Sequence, residues 1–375
     1  MEERVVILRD TYCRLDDYRI IYAALNLGVS VINIDDLVLS PTESFPGRVV
    51  INRAQSSRVR KTLTQIAEAK GCRVINPTRI LQYSGNKFLL YVRAHELGIN
   101  TPQTALPFYT LRNPDKKVYE RQLIERLAEK ITRIVEGHPH IIKPINGSHG
   151  RGVRRIENKD ELIETLLVRT AFDETIYQRL YSGKWEVRVV TLKMPHREAR
   201  TLTMIAKYGE NIRNLAVSGV PINLPYSKKL AELDCRLVES LVGDGGYLLT
   251  GNDWAPLEID ENLEIDVGEL RKKYEKIRQI RKRLRLAYKK FIDLKIGGEE
   301  EIIELEEKEE KLCKEYRENI THQKISEAIS SEIEERDFVI MDLNDNQDFP
   351  NVRGIARTKL EENYLELAET IKRYE

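Results

Sequence analysis

No stretch of the 375-residue chain approaches the about 18 consecutive apolar residues of a membrane span, and MEERVVILRD runs straight into a strand-like segment in place of a signal peptide. A cytoplasmic protein is expected. Cysteine is sparse: Cys13, Cys72, Cys235 and Cys313 are scattered, with no CxxC and no metal spacing involving histidine. Neither a disulfide framework nor a zinc site is indicated. Charge of one sign is also missing, since 61 Lys and Arg face 60 Asp and Glu, which removes any global electrostatic case for nucleic acid or membrane binding. No GxGxxG follows the first strand-like run, so a dinucleotide-binding Rossmann domain is disfavoured. No Ser/His/Asp or Cys/His constellation stands out.

What is present is apolar material for real cores, 41% of the residues, in a chain long enough for two or three packed subdomains. The first 80 or so residues alternate β-rich runs (RVVILRD, VSVINIDD, RVVINRA, RVINP) with helical stretches ending at Gly28 and Gly71. This βαβ pattern predicts a small parallel sheet with helices on its faces, each helix closed by a left-handed glycine. Residues 85–98 and 119–136 read as amphipathic helices, HIIKPINGSHGRGVRRIE as strand, glycine-rich turn and strand, and TIYQRLY, KWEVRVVTL, REARTLTMIAKYG and DFVIMDLND as further strands. A helix KLEENYLELAETIKRY ends the chain.

Residues 268–335 differ in kind, with very high charge and almost no proline. Leu270, Tyr274, Ile277, Ile280, Leu284, Ala287, Phe291 and Leu294 recur at steps of three and four, the spacing of a helix burying a narrow seam, on basic flanks. After Gly297 and Gly298 the sequence turns acidic, with Ile302, Leu305, Leu312 and Tyr316 as its seam. The economical reading is an inserted antiparallel helical hairpin, each arm neutralising the other, that protrudes and recruits a partner protein or a second subunit. The acidic arm argues against nucleic acid.

Three features carry chemistry. The turn KPINGSHGRGV presents backbone N–H groups with no bulky side chains in the way, as approach to phosphate oxygens requires, and Lys143 stands immediately before it. Lys87 lies near the start of a helix, against the macrodipole, a placement tolerable where an anion sits. Asp342 and Asn344 are two apart on one strand and so share a face, where their oxygens suit a hard cation. Arg53, at the C-terminal end of a strand in the first sheet, stands where an acidic substrate could bind.

In order, these elements resemble the ATP-grasp superfamily, and within it the group of the ribosomal-protein glutamate ligase, glutathione synthetase and the amino-acid carrier-protein ligases. The resemblance covers nearly the whole chain outside 268–335. It implies an α/β (α+β) ATP-grasp fold, with a pre-ATP-grasp α/β domain over 1–84, a small lid subdomain over 85–175 and a C-terminal subdomain over 176–375 interrupted by the hairpin. NPTRILQYSGNKFLLYVRAHELGINTPQT resembles the lead-in to the nucleotide site, with Lys87 on the phosphates. HIIKPINGSHGRGV resembles the lysine strand and phosphate loop, placing Lys143, Gly147, Ser148, Gly150 and Gly152. IYQRLYSGKWEVRVVTL matches the adenine hinge and the residues that follow it at Gln178, Leu180, Glu186 and Arg188; IRNLAVSG places Arg213 and Asn214 near the phosphoryl and acyl groups, with Arg213 also a substrate ligand. FVIMDLNDN resembles the metal motif.

Three departures stand out. The hinge position that is commonly glutamate is Arg179, and the metal motif begins with Asp342, about one methylene shorter than glutamate. The further acidic metal ligand falls to Asp253 or Asp260. The resemblance implies ATP with two Mg²⁺ ions, Mn²⁺ being able to substitute, and Lys87, Lys143 and Arg213 neutralising the triphosphate while a carboxylate attacks the γ-phosphoryl group. An amine then attacks the acyl phosphate, giving an amide, ADP and phosphate. Two other readings stay open: a small-molecule kinase on the same fold, and a catalytically weak nucleotide-binding scaffold whose coiled-coil arm does the work. The substrates, a small-molecule, peptide or carrier-protein carboxylate and an amine, are not distinguished.

Overall fold

The fold is taken from a computed structural model that describes residues 5–11, 13–107, 117–146, 152–168, 174–181, 183–209, 219–257, 265–344, 355 and 358–373. The first sheet comprises β1 (Val5–Arg9), β2 (Ser30–Asn33), β3 (Val49–Asn52) and β4 (Arg73–Ile75), all parallel in the order β2-β1-β3-β4. Helices α1 (Leu15–Asn26) and α2 (Ser57–Ala69) make its crossovers, and Gly28 and Gly71 follow them at φ 71° and 80°, the left-handed geometry expected of a glycine there. The central strands are buried along their length, which is why they read as unbroken apolar runs.

Helices α3 (Thr78–Ser84) and α4 (Lys87–Glu96) lead to a small antiparallel sheet. It contains β5 (Thr104–Ala105), β6 (His140–Pro144), β7 (Arg154–Ile156) and β8 (Thr175–Arg179) in the order β5-β8-β6-β7, packed on α5 (Lys117–Ile134) and α6 (Lys159–Val168). The boundary expected at 175/176 falls inside β8, whose hydrogen bonds to β5 and β6 tie it to this sheet.

The third sheet orders β9 (Trp185–Lys193), β10 (Arg200–Tyr208), β11 (Val220–Asn223), β12 (Leu248–Pro256) and β13 (Phe338–Asn344) as β11-β10-β9-β12-β13. Side chains alternate across it. Trp185, Val187, Met204, Ala206 and Trp254 point to one face, where α7 (Lys228–Val242) closes the main core. On the other face Val190, Leu192, Ile205 and Leu249 join the core of the first sheet, and beyond them the same face turns polar at Glu186, Arg188, Lys207 and Asp253. Residue identity along each strand thus divides one face into a domain contact and a polar site.

The segment 268–335 is not a protruding hairpin. It forms three helices, α8 (Gly268–Asp293), α9 (Glu299–Arg317) and α10 (Ile320–Glu335). The first two are antiparallel as expected, with Arg281 Nε 2.5 Å from Glu309 and the Tyr288 hydroxyl 3.0 Å from Glu306, but the acidic arm ends at Arg317 and Asn319 caps a third helix. The seam is buried against the rest of the protein: Leu270, Tyr274 and Ile277 enter the main core, while Ile280, Leu284 and Ala287 enter the core shared with α1. Leu294 lies past the end of α8 and is exposed. Charge pairing also crosses to the first domain: Arg19 of α1 bonds Glu306 at 2.9 Å and pairs with Glu309, and Asp293 receives Arg9 at 2.6 Å and the Tyr18 hydroxyl at 2.7 Å. Replacing 268–335 with a short linker is therefore expected to unfold the protein. The deletion removes buried Leu270, Ile277, Leu284, Ile325 and Ile329 and uncovers the cores they close, a loss of roughly 2 kcal/mol each and on the order of 10 kcal/mol together, comparable to a whole domain's stability. A cooperative thermal melt of a soluble deletion variant would refute this. The last helix, α11 (Leu360–Arg373), packs on α1 and β3.

Candidate active site

The site begins with a break in a strand. Along β13, Phe338 and Ile340 face the main core, and strict alternation would send Asp342 inward with them. The register slips at Met341, because Asp253 pairs with Asp342 but Trp254 pairs with Ile340. This β-bulge turns Asp342 and Asn344 onto the polar face and returns Leu343 to the core.

Onto that face come two lysines from other elements. Lys87 opens α4, whose N-cap Asn86 accepts from the Leu89 amide, and its buried ammonium lies 3.1 Å from Asp342 Oδ1. The anion that its place against the macrodipole called for is a carboxylate of the protein itself. Lys143 is buried on β6, and burial pulls its pKa down from 10.5 to about 8, with Asp342 and Glu186 opposing the shift. Its ammonium donates to the Tyr91 hydroxyl at 3.3 Å.

Tyr91 lies four residues along α4 from Lys87 and so on the same helix face. Its hydroxyl donates to the Met341 carbonyl at 2.8 Å and accepts from Lys143 and from Gln178 Nε2, the latter at 3.1 Å. One proton and two lone pairs are all used. The hydroxyl ties β6 and β8 of the small sheet to the bulge beside Asp342. Tyr91→Phe keeps the ring volume and removes these three bonds; ATP turnover is expected to fall about tenfold, with a higher Mg²⁺ requirement and a melting point within a few degrees of the wild type. Unchanged turnover and Mg²⁺ titration would show that the link has no role.

Gln178 is fully buried and also donates to Thr104 Oγ1 at 3.2 Å; Leu180 is half-buried just beyond β8. Arg179, where glutamate was expected, points outward and pairs with Glu136 at 2.5 Å, so the substitution leaves no uncompensated charge at the hinge. Gly152 has φ 73°, and a Cβ there would meet Pro144 Cγ at 2.8 Å, so the residue after the phosphate turn must be glycine.

Arg188 grips Asp253 with two bonds of 2.7 Å, and Lys207 bridges Asp253 at 2.8 Å and Glu186 at 2.6 Å. Burial pushes the Asp253 carboxyl up, but Arg188 and Lys207 outweigh it and hold it well below the usual range. Asp253, the candidate companion metal ligand, pairs across the strands with Asp342, and both its oxygens are occupied by cations. Asp342 and Asn344 are the more open donors: Asn344 gives its amide N–H to the Gly251 carbonyl at 3.0 Å, so its side-chain oxygen is the atom left to meet a cation. Among the described residues no group of three or more His, Cys, Asp or Glu side chains forms a metal cage. The donors that are present, carboxylate and amide oxygens, are those Mg²⁺ takes alongside water and phosphate. Four cations (Lys87, Lys143, Arg188, Lys207) face three carboxylates (Glu186, Asp253, Asp342), and the surplus positive charge suits a polyphosphate.

Arg53 does not join this site. It is 2% exposed, pairs with Asp17 at 2.6 Å, donates to the Tyr364 hydroxyl at 3.0 Å and stacks on that ring. A guanidinium so enclosed is a link between α1, β3 and α11 and not a substrate ligand. Gly147, Ser148, Gly150, Arg213, Asn214 and Asp260 lie outside the described residues. Sequence reasoning missed Tyr91 and Lys207. A lysine inside the apolar run MIAKY was the available signal for Lys207, whereas Tyr91 looked like any helical aromatic.

On the reverse of the same strands, fully buried Asp234 of α7 accepts from Thr191, from Asn252 at 2.8 Å and from Trp254 Nε1 at 2.7 Å. Burial raises its pKa to about 6 despite these donors. It pins β9 and β12 to the helix behind Arg188 and Asp253.

A small antiparallel sheet set against a larger one, with lysines from the first side meeting carboxylate and amide side chains on the second, is the arrangement of the ATP-grasp fold. No protein-family model matches the sequence. The α-aminoadipate–LysW ligase LysX of Sulfolobus acidocaldarius is 27% identical over 210 residues, 54% of this chain and 67% of that protein. The ATP-grasp ligase PsnB complexed with minimal precursor superposes with a TM-score of 0.54 at 13% identity, over 98% of this chain and 99% of PsnB. PsnB complexed with a phosphomimetic variant of minimal precursor, Mg and ADP gives 0.52 at 12% identity, over 100% and 99%. At these identities the structural likeness is one of fold.

Proposed function

We propose that the protein is an ATP-dependent carboxylate–amine ligase that forms an amide through an acyl phosphate and releases ADP and phosphate. The observation that carries this reading is the convergence of Lys87 and Lys143, from two different elements, on the Asp342–Asn344 strand end. Such a site neutralises and aligns a triphosphate without a side-chain nucleophile. Asp342 and Asn344 would hold Mg²⁺, which would supply positive charge against the phosphates.

The chain's own residues do the rest. Lys143 and Lys87 supply fixed positive charge where charge builds up on the phosphoryl group, and the arriving phosphates favour the protonated form of Lys143. The substrate carboxylate oxygen bonds to the γ-phosphorus as the bond to the ADP oxygen breaks. The amine nitrogen then bonds to the acyl carbon, phosphate departs, and the nitrogen loses its proton. Arg188 and Lys207, anchored by Asp253 and Glu186, hold the strand face rigid beneath. The small cluster of Tyr181, Ala255 and Val339, flanked by Leu257 and Met341, offers the apolar surface a base packs against. Residues 85–180, with the turn after Lys143, act as the lid, and the reaction takes place in the cytoplasm.

The substrate we favour is a polypeptide-borne carboxylate or amine. LysX is named for joining α-aminoadipate to LysW, and PsnB binds a precursor. ADP release measured with pools of amino acids and of acidic peptides, with mass spectrometry of the products, tests both halves. Loss of water from an amine-plus-acid pair is the expected mass change; a product heavier by a phosphoryl group would make the protein a kinase.

A further inference from the structure

The antiparallel pair α8–α9 carries two matched surface ribbons, and from them we infer that the protein self-associates as a two-fold dimer through the outer face of this pair. On α8 the side away from the core presents Arg283, Leu286 and Lys290; on α9 it presents Glu300, Ile303 and Glu307. Both sets follow the same i, i+3, i+7 spacing, which lines up residues on one helix face. All six are exposed, Leu286 at 58% and Ile303 at 51%, so each ribbon sets one apolar side chain between two charges of one sign. Among the described residues no ion pair engages Arg283, Lys290, Glu300 or Glu307, although Arg281 and Glu309 on the inner faces are paired. The sequence invites the view that the acidic arm neutralises the basic one. In the structure the buried Arg281–Glu309 pair on the inner faces does so.

The register makes the ribbons self-complementary. Arg281 is level with Glu309 and Tyr288 with Glu306, so the stretch from Arg283 to Lys290 lies alongside the stretch from Glu307 back to Glu300. Two copies laid face to face, with a two-fold axis running along the helices, set α8 of one on α9 of the other and keep every residue at its own level. Arg283 then meets Glu307, Leu286 meets Ile303, and Lys290 meets Glu300, each contact made twice because the interface is isologous. Exposed Leu294 and Ile296 at the turn extend the apolar strip. A nucleic acid fits less well, since an extended phosphate chain along α8 would lie beside the acidic ribbon and find nothing for Leu286. The patch spans only about three helical turns, so the dimer belongs to the small, reversible class of interface, with dissociation in the micromolar range and marked salt sensitivity.

Sedimentation velocity of the full chain between about 1 and about 100 µM, at about 50 mM and about 500 mM salt, reads the equilibrium. The wild type should dimerise with rising concentration and less so at high salt. The double variants R283E/K290E and E300K/E307K should each weaken self-association by about tenfold or more, because like charges then face one another across the axis. An equimolar mixture of the two should regain wild-type association as a heterodimer, since each all-acidic face then meets an all-basic one. Circular dichroism and melting points should be unchanged, the four side chains being exposed, and an L286A variant gives a second reading without altering charge. A wild type that stays monomeric throughout, variants that associate like the wild type, or a mixture no stronger than its components would overturn the proposal. So would a monomeric wild type that binds a synthetic polyglutamate probe and loses it in R283E/K290E, which would assign the surface to an acidic polypeptide.

Discussion

Lys143→Ala lowers ATP turnover on the order of 10²–10³-fold and leaves the fold intact. The ammonium is buried on β6 with the Tyr91 hydroxyl and ring as its neighbours, and the charge it offers is best matched when phosphate arrives. Without a nucleotide it is a desolvated cation, so its removal should not cost stability. The sign can be checked by pH: its folded pKa, about 8, lies below the 10.5 of the exposed group, so between those values the unfolded chain binds more protons. Wild-type stability therefore rises with pH across that window, and any advantage of Lys143→Ala near pH 7 should shrink as pH approaches 10.5. Steady-state ADP release and thermal melts at several pH values measure both effects. Near-normal turnover in the folded variant would remove Lys143 from the reaction.

Asp342→Asn is expected to abolish Mg²⁺-dependent activity, by at least about a hundredfold, because an amide lacks the charge that holds a divalent ion. The substitution is close to isosteric. It keeps the oxygen that accepts from the Leu343 amide at 3.1 Å, so the bulge should persist while the charge that Asp342 sets against Lys87 is lost. Asn344→Ala should act similarly, through loss of its side-chain oxygen, with a smaller effect since no charge is removed. Activity titrated against Mg²⁺, together with calorimetry of Mg·ADP binding, separates metal affinity from turnover. If both variants remain active at ordinary Mg²⁺ concentrations, the ion is held elsewhere, with Asp253 released from Arg188 as the first place to look.

The two variants also show which parts of the site were legible in the sequence. Lys143 could be picked out because it stands at the end of an apolar strand that leads into a glycine-rich turn, a local pattern with a local cause. The shared face of Asp342 and Asn344 follows from strand periodicity alone. Which face they share does not, because it depends on the slip at Met341, and a bulge is defined by the partner strand. Tyr91 escaped for a related reason. Its partners Lys143, Gln178 and Met341 lie 52, 87 and 250 residues away, and a helical tyrosine carries no mark of what its hydroxyl will meet. Arg53 shows the opposite error, a strand-end arginine whose position suggested a ligand until Asp17 and Tyr364 closed over it.

By itself the sequence determined the elements whose causes are near neighbours in the chain. These are the parallel strands of the first sheet, from their unbroken apolar runs; the glycines after α1 and α2, from the left-handed backbone needed there; and the pairing of α8 with α9, from a seam and a Gly-Gly turn. Tertiary structure alone decided how those elements spend their polar groups. It took the seam of α8 into two cores instead of leaving it to the acidic arm, gave Asp253 to Arg188 and Lys207, and left Arg283, Lys290, Glu300 and Glu307 facing outward. The reason is that periodicity determines which residues share a side, whereas burial and charge pairing depend on what another part of the chain brings to that side.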